Sequence, residues 1–211
     1  MSDLPAGASR PPSAQQLPGP VTRIVVVHGL GATAESHWFG AVRDRYAPRG
    51  VEVVVPDLPD SHAPDLDAWL TTLADVVGPV DEGTVLVGHS LGCVAVLAHL
   101  DAREDDWHLG GLALVAGFVE RLPEIPEVDR FVARPLGLAD VAARTARRHV
   151  LLADADPVVP HHLTRALARS LDARATVVAG AGHFLARDGF DRLAALEDVL
   201  DGWTGGPRPV S

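Results

Sequence analysis

Gly88-His89-Ser90-Leu91-Gly92 is the segment best suited to chemistry. It follows the β-branched run 84–87 and opens the apolar run 90–100. Strand, G-x-S-x-G, helix is the context of a nucleophile elbow, a turn that presents a serine hydroxyl above the edge of a sheet. The turn is so tight that positions two before and two after the serine have little room for side chains, and glycine at 88 and 92 meets that need. The hydroxyl would also sit at a helix N-terminus, where free N–H groups and the helix dipole favour developing negative charge. The competing reading is an ordinary N-cap serine.

A serine hydroxyl is a weak nucleophile near neutral pH. It needs a base within hydrogen-bond reach, and the base needs a group to orient it. In a nucleophile-elbow fold the chain order is serine, acid, histidine. The strand ending at Ala153 runs into Asp154-Ala155-Asp156-Pro157, and the strand ending at Ala179 runs into Gly180-Ala181-Gly182-His183-Phe184. Ser90, Asp156 and His183 are therefore the candidate catalytic residues. Asp154 competes with Asp156, but it lies nearer the strand end, where a turn role suits it. Among the other histidines, the adjacent His161 and His162 point apart on a helix, and no pair has metal-ligand spacing. The expected chemistry needs neither metal nor organic cofactor.

The first strand runs into His28-Gly29-Leu30-Gly31. A chain passing the nucleophile here can aim a backbone N–H at an oxyanion, so the amides of Leu30 and Leu91 are the candidate oxyanion hole. The competing reading is a simple glycine turn. His28, Trp38, Phe39 and His89 are candidate walls of a substrate pocket. For Trp38 and Phe39, packing the first helix onto the sheet is an equal alternative. His28 also suits a bond within its own loop.

These residues need a scaffold. Strands are expected at 21–28, 51–55, 84–87, 112–116, 149–153 and 175–179. Helices are expected at 36–46, 65–77, 90–100, 161–171 and 190–200. Their alternation implies an α/β protein: a compact α/β-hydrolase fold with a predominantly parallel six-stranded sheet and helices on both faces. The long stretch 117–146 carries Pro123, Pro126 and Pro135 and reads as a loop with short helical pieces, too little for a large lid domain. The 211 residues, 47% hydrophobic, suit one domain over 21–204. Residues 1–20 are rich in Pro, Ala, Gly, Ser and Gln and read as a disordered tail; 205–211 read as a flexible C-terminal tail. A net charge of −10 argues against nucleic acid. No apolar run suits a secretory signal or membrane insertion. The single cysteine, Cys93, suits a reducing compartment, and a cytoplasmic location is expected.

The sequence resembles the small serine hydrolase family that includes retinoblastoma-binding protein 9 and bacterial YdeN. The likeness spans residues 22–200 and rests on His28-Gly29-Leu30, Ser36-His37-Trp38-Phe39, Pro56-Asp57-Leu58-Pro59 before a helix bearing Trp69, GHSLGC at 88–93, FVARPL at 131–136, ADPVVP at 155–160 and GHF at 182–184. The resemblance places nucleophile, acid and base on Ser90, Asp156 and His183. It implies a compact enzyme without a large cap, hydrolysing a small-molecule carboxylic ester through an acyl-enzyme. Two alternatives stay open: a protein-interaction module on an idle hydrolase scaffold, and an acyltransferase or thioesterase using the same triad. A protein partner has no support in the residues themselves.

Overall fold

Short runs of valine, leucine and isoleucine form the centre of the molecule. Strands β1 (Arg23–Val27), β2 (Glu52–Val54), β3 (Thr84–His89), β4 (Gly111–Val115), β5 (Arg148–Ala153) and β6 (Arg174–Val178) make one sheet in the order β2-β1-β3-β4-β5-β6. Every neighbouring pair is parallel. In this computed structural model residues 19–205 are described. The tails expected over 1–20 and 205–211 lie outside the described residues, apart from Gly19, Pro20 and Gly205.

Parallel strands need crossovers, and the crossovers cover both faces. Side chains alternate across a strand, so Ile24 and Val26 enter one core layer while Val25 and Val27 enter the other. The first layer packs under α1 (Phe39–Tyr46) and α6 (Ala194–Thr204). The second packs under α2 (Leu66–Val77), α3 (Leu91–Asp101), α4 (Leu138–Ala143) and α5 (His161–Ser170). Asp65 caps α2 by accepting the Ala68 N–H at 3.0 Å, and the helix buries Trp69, Leu73 and Val77 at four-residue spacing. Helix α3 is buried from Leu91 to Leu100, as expected of a helix apolar on all sides.

Strand order reverses around β1, which lies between β2 and β3. In open α/β sheets the crevice at such a switch point, beyond the carboxyl ends of the strands, is where ligands bind. The loops after β1 and β3, bearing residues 28–31 and Ser90, flank it.

Two helices start later than the sequence pattern suggests. The first begins at Phe39 rather than Ser36, because His37 adopts φ 55° and Ser36 Oγ accepts the Thr33 N–H at 3.0 Å, closing a turn. The last begins at Ala194 rather than Phe190, after a 3-10 turn at Ala186–Asp188 that ends in Gly189 at φ 89°. The long stretch before β5 contains a 3-10 segment, Pro126–Val132, and the six-residue α4. Phe131 packs edge-on against Trp69 at 5.1 Å between ring centroids, so the excursion adds to the core rather than forming a lid. Among the described residues no helix is long and apolar enough to cross a membrane.

At the amino-terminal edge of the sheet a buried ionic cluster pins α1 to α6. Asp201, 3% exposed at its side chain, accepts from Arg49 at 2.8 Å and from Arg45, and the Tyr46 hydroxyl lies 3.0 Å from its Oδ1. Glu197 pairs with Arg192 at 2.6 Å. Burial pushes the Asp201 carboxyl up, but the bonds from Arg45, Arg49 and Tyr46 outweigh it and hold it below its ordinary range.

Candidate active site

The turn after β3 places Ser90 at φ 54° and ψ −122°, a conformation that costs energy for a non-glycine residue. Its backbone is tied at both ends: the Ser90 N–H donates to the Val115 carbonyl, and the Ser90 carbonyl accepts the Cys93 N–H, both at 2.9 Å. The elbow glycines are required by close approach. A Cβ on Gly92 would lie 2.2 Å from the Val27 carbonyl oxygen, and one on Gly88 would lie 2.7 Å from the Cys93 Cα. On the facing loop, a Cβ on Gly29 would meet the Ser90 Cβ at 2.9 Å.

Three loops bring the predicted side chains together. His183 Nε2 lies 2.9 Å from Ser90 Oγ, and His183 Nδ1 lies 2.8 Å from Asp156 Oδ2. The other Asp156 oxygen accepts the N–H groups of Val158 and Val159 at 2.8 and 3.0 Å. A carboxylate can only accept, so the His183 proton resides on Nδ1 and Nε2 is free to accept from the serine. Ser90 and His183 are 8% and 5% exposed, so the nucleophile is just reachable. Asp154 does not join the chain. It is exposed, and its Oδ1 accepts the Gly180 N–H at 2.6 Å, fastening the loop after β5 to the loop after β6.

Leu91 is the first residue of α3, where amides have no intrahelical acceptor. The loop carrying Leu30 is braced by the loop after β2. The Gly31 N–H donates to the Ser61 carbonyl at 2.8 Å, and the Ala34 N–H donates to Asp57 at 2.7 Å. His28 Nδ1–H donates to the Gly29 carbonyl at 3.0 Å, and its Nε2 accepts the Leu58 N–H at 3.0 Å.

The four pocket candidates are corrected by their burial. His28, Trp38 and Phe39 are 0% exposed and His89 is 2% exposed, so none walls an open pocket. His28 is a staple between loops, with both nitrogens occupied. Because α1 begins at Phe39, Trp38 and Phe39 turn into the layer beneath α1, with ring centroids 4.7 Å apart. His89, at the end of β3, is wedged against them at 5.8 and 5.9 Å. Its Nε2–H donates to the His183 carbonyl at 3.0 Å. Burial drives the His89 imidazole well below its ordinary pKa, and lowers that of His28.

His37 also belongs to the site, although the residue pattern alone gave it no role. Its Nδ1 accepts the Ala186 N–H, three residues past His183, at 3.2 Å. The available signal was its place in Ser36-His37-Trp38-Phe39, beside the two aromatics that drew attention. Among the described residues these histidines do not converge into a group able to hold a metal. A depression of about 710 Å³ lies at the other end of the sheet, lined by Arg147, His149, Arg174 and Trp203 among others. The site is thus marked by converging side chains rather than by the size of a hollow.

Comparison with known proteins identifies the family. Putative hydrolase YdeN of Bacillus subtilis (strain 168) is 33% identical over 178 residues, covering 84% of this chain and 94% of the relative. Serine hydrolase RBBP9 of Rattus norvegicus is 23% identical over 183 residues, covering 85% of this chain and 96% of that protein. The crystal structure of the ydeN gene product from B. subtilis superposes with a TM-score of 0.84 at 32% identity, over 88% of this chain and all of that one. Residues 24–202 match the serine hydrolase family, and the chain belongs to that family.

Proposed function

We propose that the protein hydrolyses small carboxylic esters through an acyl-enzyme on Ser90. The observation that carries the reading is the unbroken hydrogen-bonded path from Ser90 Oγ through His183 to Asp156, with links of 2.9 and 2.8 Å. As Ser90 Oγ bonds to the ester carbonyl carbon, its proton passes to His183 Nε2. Asp156 keeps the imidazole in the required tautomer and stabilises the imidazolium. The carbonyl oxygen becomes an oxyanion, bound by the N–H groups of Leu30 and Leu91. When the C–O bond to the alcohol breaks, the leaving oxygen takes the proton from His183. Water then repeats the sequence on the acyl-enzyme and releases the acid.

Replacing the nucleophile tests this directly. Ser90→Ala is expected to lower kcat for p-nitrophenyl acetate by about ten-thousand-fold or more, while the thermal transition stays in place. A fluorophosphonate probe should label the native protein at Ser90 and leave the variant unlabelled. Hydrolysis undiminished in Ser90→Ala, or a native protein silent to the probe, would reject the reading.

A further inference from the structure

The His183 loop leaves β6, which among the described residues pairs only with β5, and it has no ladder of its own to fix it. It also contains Phe184 at φ 57°, a backbone state that persists only when its surroundings impose it. Two side chains from distant segments bond to the loop backbone on either side of that residue. His89 Nε2–H donates to the His183 carbonyl at 3.0 Å, and His37 Nδ1 accepts the Ala186 N–H at 3.2 Å. The two rings meet edge-on at 5.5 Å, and the His89 ring lies 5.1 Å from the His183 ring.

We infer that His89 and His37 are positioning residues, a two-sided clamp on the loop backbone that holds the His183 imidazole between Ser90 and Asp156. The inference rests on the proposed roles of those three residues.

The clamp's hydrogen bonds go only to backbone, so they do not compete for the two nitrogens of His183. It is also neutral. A carbonyl can only accept, so the His89 proton is on Nε2. Its Nδ1 is buried with no partner among the described residues, and a second proton there would be stranded. A neutral donor in this place adds no positive charge beside the imidazolium that forms on His183 during turnover. Trp38 and Phe39 hold the His89 ring in place. The segment Ser36-His37-Trp38-Phe39 thereby gains one function: it carries half of the clamp and packs the other half.

The test uses paired variants of the full chain, with kcat referred to the serine titrated by a fluorophosphonate. His89→Leu removes the donor; His89→Gln keeps an N–H at similar reach. Misplacing a catalytic group by about 1 Å can cost about a hundred-fold. His89→Leu is therefore expected to lose about 10- to 100-fold in kcat, with KM for p-nitrophenyl acetate within about twofold. His89→Gln should recover to within about threefold of native. The downfield proton resonance of the His183–Asp156 bond should weaken in the leucine variant and persist in the glutamine one. His37→Asn keeps an acceptor and tolerates positive φ, so it should stay near native, whereas His37→Leu should lose about three- to tenfold in kcat.

A folded His89→Leu with native kcat per titrated serine, or a His89→Gln as impaired as the leucine variant, would overturn the clamp. If His89→Leu does not fold, an undiminished kcat in His37→Leu overturns it instead. A native protein that the fluorophosphonate does not label defeats the catalytic reading itself. A labelled native protein with unaffected variants defeats only the clamp.

Discussion

Two buried aspartates sit at opposite ends of this sheet and are satisfied in opposite ways. Asp156, at the carboxyl edge, is 2% exposed at its side chain and is bonded by two backbone N–H groups and an imidazole. Asp201, at the amino edge, is 3% exposed and is bonded by two guanidinium groups and a phenol. Arginine does not give up its proton in proteins, so the charge opposite Asp201 is permanent and the cluster serves only to join helices. Imidazole can take a proton and return it, so the positive partner of Asp156 appears only when His183 is charged. On the proposed mechanism, what separates the two carboxylates is not burial but the kind of donor that faces each.

The contrast breaks first at Asp156. Asp156→Asn should keep the fold but lower kcat by about a thousand- to ten-thousand-fold, because the amide no longer dictates the His183 tautomer. Ester turnover beside a thermal melt checks this. Asp201→Asn should do the reverse: removing one partner of a buried cluster costs about 3 kcal/mol, read from urea unfolding, while kcat of the folded protein stays within about twofold. If Asp201→Asn cost activity but not stability, the two aspartates would not be the opposites described.

Acid should separate the two ends as well. His28 and His89, at the carboxyl end, are held neutral by burial. Unfolded, each binds a proton near pH 6.5, so stability falls as the pH drops below that value towards the lower folded pKa values. Asp201 has a folded pKa below its ordinary 3.8, so its contribution is whole above that point and is lost only as the pH falls through the lower value. Urea midpoints from pH 8 to pH 3 should show the histidine decline first, and His89→Gln should flatten it. The smallest effect is expected from Tyr46→Phe, about 1 kcal/mol in the same urea measurement, with no change in kcat.

The residues that meet in the site were largely readable because each reports its neighbourhood in a few positions. Glycines at 88 and 92 announce a tight turn, and the order of Ser90, Asp156 and His183 follows the strand order. Asp156 was separable from Asp154 by its place in the loop. The supporting residues were harder to read, because their partners are remote in the chain. His89 meets a carbonyl 94 residues away, and His37 an amide 149 residues away. Trp38 and Phe39 could be read either as pocket wall or as core until the turn at His37 fixed where α1 begins. The Tyr46–Asp201 cluster left no sequence signal, since its members look like the solvated faces of two ordinary helices.

The rank of each strand has a consequence for how the molecule ages. The serine follows directly on β3, flanked on both sides and buried along its length, whereas the histidine hangs from β6, the rim strand of the described sheet, whose Val177 is 43% exposed. Rim strands fray before central ones. Mild heat should therefore silence turnover while the interior is still assembled, leaving a dormant form that regains function on cooling.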